Sequence, residues 1–177
     1  MRSLLLLLVV TLSSAACSTY LAGYDYVPRP VDVELVEGSR VLATVPGLRR
    51  AGKSGLEGVD GAALEVQLQV DHNGPGTLVL RPSGLEMTGG NLVRLDSAIT
   101  DPADGLRVES GESGRLVVFF TLPGRDGGIT ADLDGLNLRI TAEIDGQSVT
   151  RSATFTERYQ EPHGGRVRFG VGVGIGL

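Results

Sequence analysis

From Val31 onward the chain alternates apolar and polar residues with a period of two. Val31, Val33 and Leu35 interleave with Asp32 and Glu34, and Leu64, Val66, Leu68 and Val70 interleave with Glu65, Gln67, Gln69 and Asp71. A side chain changes face at every step of an extended strand, so this pattern builds strands with one buried face. Val41 to Val45 reads as a further strand. Leu78 and Leu80 resume the pattern after the turn residues Asn73, Gly74, Pro75 and Gly76. Leu136, Leu138, Ile140 and Ile144 alternate with Asn137, Arg139, Thr141 and Glu143. Asp145 and Gly146 then suit a two-residue hairpin turn, and Gln147 to Arg158 returns as a Thr-rich strand ending near Phe155. The stretch LVVFFTL, Leu116 to Leu122, is apolar on both faces and predicts a central strand, or one covered on both sides. The pattern weakens around Leu85–Leu95 and again over Ser97–Glu112. The second of these is expected to be a long loop with one short strand near Leu106–Val108. No window of about 12 residues combines a 3.6-residue period with helix caps. The nine residues Leu64, Val66, Leu68, Val70, Leu116, Val118, Phe120, Leu138 and Ile140 are expected to face one core.

About eight short strands separated by Gly, Pro, Asn and Asp turns predict an all-β fold, an antiparallel two-sheet sandwich. The order of its parts resembles the immunoglobulin-like domains of bacterial cell-envelope lipoproteins. An amphipathic strand leads to a polar turn, an L-x-L-x-P strand from Leu78, the Gly89-Gly90 turn, and a GESG loop at residues 111–114 feeding LVVFFTLP. The similarity covers roughly Val31 to Tyr159 and is one of pattern. The Cys and Trp core of true immunoglobulin domains is absent, since the chain has one Cys and no Trp. The resemblance implies a fold and a location and carries no site residues.

Composition narrows the function classes. A net charge of -5 offers no basic face for nucleic acid. The single cysteine excludes a disulfide framework and a Cys-rich zinc site. The 26 glycines follow no three-residue repeat, which excludes collagen. Two histidines leave little for imidazole chemistry, and the absence of Trp argues against a carbohydrate-recognition platform, where sugar rings stack on exposed aromatics.

The first 17 residues, MRSLLLLLVVTLSSAAC, place Arg2 ahead of an apolar run from Leu4 to Leu12, then small residues, then the sole cysteine. The run is too short to span a bilayer as a helix and reads as an export signal. The segment resembles a bacterial lipoprotein signal, matching at Ala15, Ala16 and Cys17 and departing from it at Ser14. The resemblance implies that residues 1–16 are removed and that Cys17 is acylated as the mature N-terminus. Two or three acyl chains there would anchor the protein stably. Ser18, by the same resemblance, implies sorting to the outer membrane. Ser14 and Ala16 also fit ordinary signal-peptidase cleavage, which would give a non-lipidated exported protein. Residues 17–30 then form the lipidated N-terminus and a tether, in which Pro28 and Pro30 favour extended backbone.

Several motifs suggest chemistry. GLRRAGKS at residues 47–54 matches a Walker A pattern, with Lys53 and Ser54 in the phosphate and magnesium roles. Three glycines among the next seven residues forbid the helix a phosphate loop must open, so Gly47 to Ser54 reads as a Gly-rich loop and no nucleotide is expected. Ser113 sits in the stretch Gly111-Glu112-Ser113-Gly114, which faintly resembles the loop around a nucleophilic serine, yet His72 and His163 lie in turn and linker sequence. Neither offers the base that a serine nucleophile needs. Asp126, Asp132 and Asp134 crowd one Gly-containing stretch. These are the weak metal candidates, because a hard cation takes such oxygen ligands, but the EF-hand spacing is missing and a solvated acidic loop is expected. No cofactor and no metal are expected.

Residues 31–160 therefore form the sandwich domain, and 161–177 a Gly-rich tail or strand. In that tail Phe169, Val171, Val173, Ile175 and Leu177 alternate with glycines. It reads as a final docked strand, a poorly ordered tail, or an element for membrane contact or strand addition. The reading is of an exported envelope protein, not an enzyme, with a binding or structural role. Its expected partners are the membrane through Cys17 and an envelope protein. A non-lipidated periplasmic binding module and an envelope hydrolase are the alternatives.

Overall fold

A computed structural model describes residues 28–50, 62–122 and 135–156. It contains nine strands among these residues and no helix: β1 (Val31–Val36), β2 (Ser39–Arg50), β3 (Ala62–His72), β4 (Thr77–Thr88), β5 (Arg94–Asp101), β6 (Leu106–Glu109), β7 (Glu112–Thr121), β8 (Asn137–Ile144) and β9 (Gln147–Thr154). All pairings are antiparallel. One sheet runs β1-β2-β3-β7-β5, and the other holds β6, β4, β8 and β9, with β5 starting beside β4 before crossing to β7. The two sheets bury their inner faces against each other, which is the predicted all-β sandwich.

All nine predicted core residues lie in one buried cluster, joined by Leu35, Leu48, Leu78, Leu80, Met87, Leu95 and Phe155 among others. The alternation of β3 explains why: Leu64, Val66, Leu68 and Val70 point inward opposite Phe120, Val118, Leu116 and Gly114 of β7. The β8–β9 hairpin turns at Asp145 and Gly146, both with positive φ (48° and 79°), as a type I′ turn requires. β7 lies between β3 and β5, as its two apolar faces predict. Val117 and Phe119 lie on its outer side with Ala63 and Ile99 in a small second cluster.

Three sequence readings need correction. The predicted loop after Ser97 is instead the second half of β5, which continues to Asp101. Its alternation is broken by a bulge between Ser97 and Ile99, so Leu95 enters the core while Ile99 joins the outer cluster. The segment at Leu85 is likewise part of β4. A four-residue irregularity lies between Leu80 and Leu85, both of which are buried, and hides the period. The GESG stretch is a tight turn at 110–111 followed directly by β7, not an extended loop.

The connections divide between two ends of the sandwich. The turns at residues 37–38, 73–76, 110–111 and 145–146 lie together at one end, which we call the turn pole. There Asn73 N donates to Gly38 O at 2.7 Å and Gly111 N donates to His72 O at 2.7 Å. At the opposite end, the exit pole, lie Arg50, Ala62, Leu122 and Leu136, where the chain leaves and re-enters the sheets, the β4–β5 loop at residues 89–93, and the end of β9. β1 starts at mid-sheet, Val31 opposite Ala43, and runs towards the turn pole. The N-terminal end of β1 therefore faces the exit pole.

Candidate functional site

The polar half of β3 forms the middle of an exposed sheet face. Pairing sets Leu42 and Thr44 of β2 opposite Gln69 and Gln67 of β3, and Gln69 opposite Arg115 of β7. These five side chains line an open depression of about 210 Å³. Arg115 forms no ion pair among the described residues, whereas Arg40 pairs with Asp32, Arg81 with Glu143, and Arg107 with Glu109. Arg115 and the Gln69 amide thus give the depression hydrogen-bond donors, while the Gln67 amide is engaged with Glu65.

Its two flanks are fixed by hydrogen bonds. Towards the exit pole Glu65 is 1% exposed, although its place in the alternation predicts a solvated side chain. Arg49 reaches across from β2 to pair with it, and Gln67 Nε2 donates to its Oε1 at 2.6 Å. The Arg49 guanidinium also lies 5.8 Å from the centre of the Phe119 ring, a cation–π arrangement. A buried carboxylate needs such partners, because an unpaired one is costly to desolvate. Towards the turn pole Ser113 Oγ donates to Asp71 Oδ1 at 2.6 Å.

That contact settles the geometry of Ser113. Ser113 pairs with Asp71 on the outer face, and successive residues of a strand face opposite sides, so His72 points inward. His72 is fully buried, with Nδ1 2.7 Å from Ser39 Oγ and Nε2 3.2 Å from Gly76 O. A carbonyl only accepts, so Nε2 carries hydrogen, and in the tautomer with a bare Nδ1 that nitrogen accepts a hydrogen bond from the Ser39 hydroxyl. This Ser–His pair staples the ends of β2 and β3 to the 73–76 turn. Ser39→Ala is expected to cost about 1–3 kcal/mol by leaving a buried ring nitrogen without its partner. Equilibrium urea unfolding checks this, and an unchanged midpoint would remove the pair from the fold's support.

A second polar cleft of about 210 Å³ sits on the other sheet at the β4 irregularity, lined by Arg81, Ser83, Gly84, Thr141, Glu143 and Ser148 among others. Nearby, the Thr77 hydroxyl and then the Arg107 guanidinium donate to Glu109 and hold its carboxyl below the usual value. A depressed carboxyl pKa adds stability above the unfolded-state pKa, and that stability is lost as pH falls through the folded-state value.

The structure corrects the first part of the Walker-like motif: Gly47 to Arg49 belong to β2, with Gly47 opposite Glu65. A glycine paired within a sheet cannot belong to a loop that cradles phosphate. Ala51 to Ser54 lie outside the described residues, as do Cys17, His163, the metal candidates Asp126, Asp132 and Asp134, and the Gly-rich tail. Among the described residues no group of three or more His, Cys, Asp or Glu is placed to hold a metal ion. Nor is any helix among them long and apolar enough to cross a membrane.

No family model matches the chain, and no curated protein sequence matches it significantly. Among solved structures, a lipoprotein candidate (ycdA) from Bacillus subtilis aligns with a TM-score of 0.42 and 14% identity, over 71% of this chain and 39% of that chain. The chain thus matches well under half of that neighbour's length.

Two features of the surface are not legible in the alternation. Glu65 is buried through partners supplied by neighbouring strands. Leu92, next to the exposed Val93, stands 84% exposed in the β4–β5 loop. The signal for the second was present: an apolar pair directly after Gly89, Gly90 and Asn91, where turn residues are ordinarily polar.

Proposed function

We propose that the protein is an exported, lipid-anchored envelope protein that acts by binding or by structure, built on an immunoglobulin-like sandwich and held at the outer membrane through Cys17. The observation that carries this reading is the placement of the only cysteine directly after an apolar signal run and two alanines. Membrane attachment is the role that explains a lone thiol there. The donor-lined depression around Arg115 supports a binding role, since it presents hydrogen-bond donors on a rigid sheet face. A hydrolase has less support, because Ser113 is bonded to Asp71 and the described imidazole lies on the other side of the sheet.

Mass spectrometry of the mature N-terminus tests the anchor directly. The expected result is a diacylated or triacylated Cys17 with residues 1–16 removed. Cys17→Ser is expected to move the protein from the membrane fraction to the soluble fraction or leave an uncleaved precursor. An unmodified Cys17 thiol in the wild-type protein overturns the anchoring and leaves the exported, non-lipidated module.

A further inference from the structure

Leu92 is the most exposed large apolar side chain among the described residues, at 84%, and Val93 beside it is 36% exposed. The loop that presents them is closed and ordered by its own bonds. Leu92 N donates to Gly89 O and Gly89 N donates to Val93 O, both at 2.9 Å, and Val93 N donates to Asn91 Oδ1 at 3.3 Å. Leu92 itself sits at φ 64°, a left-handed conformation that glycine or asparagine fills far more readily than a branched aliphatic residue. The fold therefore holds a hydrophobic side chain in water, in an unfavourable backbone state, at the tip of a hairpin. Observed strain of this kind at an exposed tip points towards contact with something else.

Topology names the occupant. The 89–93 loop lies at the exit pole, and β1 runs away from that pole, so the N-terminal end of β1 faces the same side. Residues 18–27 lie between the cysteine and the first described residue, Pro28, and the 11 steps from Cys17 to Pro28 reach at most about 40 Å when extended. A membrane holding Cys17 is thus within reach of this pole.

We infer that the β4–β5 tip inserts Leu92 and Val93 into the lipid interface beneath the anchored domain, fixing the sandwich upright with its exit pole on the membrane. This rests on the proposed anchoring at Cys17. The partner is a lipid surface, because a short apolar tip, preceded by two glycines and followed by Arg94, fits between headgroups without needing a shaped pocket. The depression around Arg115 would then stand on the flank of the domain, open to the surrounding space.

The chain has no tryptophan, so a single introduced one reports its own position without background. Full-length Leu92→Trp and Leu42→Trp proteins, purified from membranes, are reconstituted in phosphatidylcholine–phosphatidylglycerol vesicles with brominated acyl chains. Leu42 is 39% exposed at mid-sheet and serves as the comparison site. The expected result is a blue-shifted Leu92→Trp emission that loses most of its intensity to the brominated chains, while Leu42→Trp is quenched only by aqueous acrylamide. Acrylamide quenching of both overturns the inference, as does equal bromolipid quenching of both. A blue-shifted Leu92→Trp untouched by bromolipid also overturns it, by showing a protein partner instead. Mass spectrometry of Cys17 on the same samples keeps the two readings apart. An acylated Cys17 with a water-exposed Leu92→Trp sinks only the tip, and a lipid-quenched Leu92→Trp with an unmodified thiol sinks only the anchor.

Discussion

Phe120→Ala is expected to lower unfolding stability by roughly 3–5 kcal/mol, the range for truncating a buried aromatic ring. Phe120 is fully buried on β7, a strand with neighbours on both sides, opposite Leu64 of β3 and Ser97 of β5. Removing the ring takes away its transfer free energy and leaves a cavity. Neither strand can collapse into that cavity, because both are held by their own pairing. A domain of this size has on the order of 5–15 kcal/mol in total, so the variant would sit near the edge of folding. Urea unfolding with an unchanged m-value measures the loss cleanly. Leu42→Ala, on the exposed outer face, is expected to stay within about 0.5 kcal/mol of wild type. A Phe120→Ala cost below about 1 kcal/mol would remove β7 from the centre of the core.

Gly105→Ala is expected to cost about 2–4 kcal/mol, through two separate effects. Gly105 has φ +90°, where a side chain is strained by about 1–3 kcal/mol whatever the space around it. A Cβ there would also lie 2.1 Å from the Leu80 carbonyl oxygen and 3.1 Å from Pro82 Cδ. Leu80 cannot retreat, because its backbone is paired with Ala142 of β8 on one side and Leu106 of β6 on the other. Gly111→Ala separates the two effects. Gly111 has φ +83° with nothing within 4 Å of the added carbon, so it isolates the backbone term. Gly105→Ala is expected to be the more damaging by at least about 1 kcal/mol, the lower bound for overpacking. Equal losses in thermal or urea unfolding would show that the close approach to Leu80 does not constrain the fold.

Where strands run without interruption, the chain announces them. β3 was legible residue by residue because Leu64 to Val70 alternate perfectly, and the Asp145-Gly146 turn carried its own dihedral requirement. β5 and the second half of β4 were not legible, because bulges at Ser97–Ile99 and after Leu80 shift the period. A one-residue slip exchanges the two faces of a strand, so alternation read across a bulge cancels itself. The candidate site was half visible. Gln67 and Gln69 stood out as the polar face of β3, but Thr44 and Arg115 reach them only through strand pairing across 23 and 46 positions of sequence. Glu65 misled for the same reason: its ion-pair partner Arg49 is local in space, not in sequence.

The direction of β1 has a mechanical consequence. Its five paired positions tie it to β2, which β3 holds from the other side. A pull on Val31 along the strand axis, away from the turn pole, acts across hydrogen bonds that run perpendicular to it between antiparallel strands. The load is therefore applied in shear and shared by all of those bonds together, instead of peeling them one by one. A domain tugged from Val31 along that axis therefore yields as one unit or not at all.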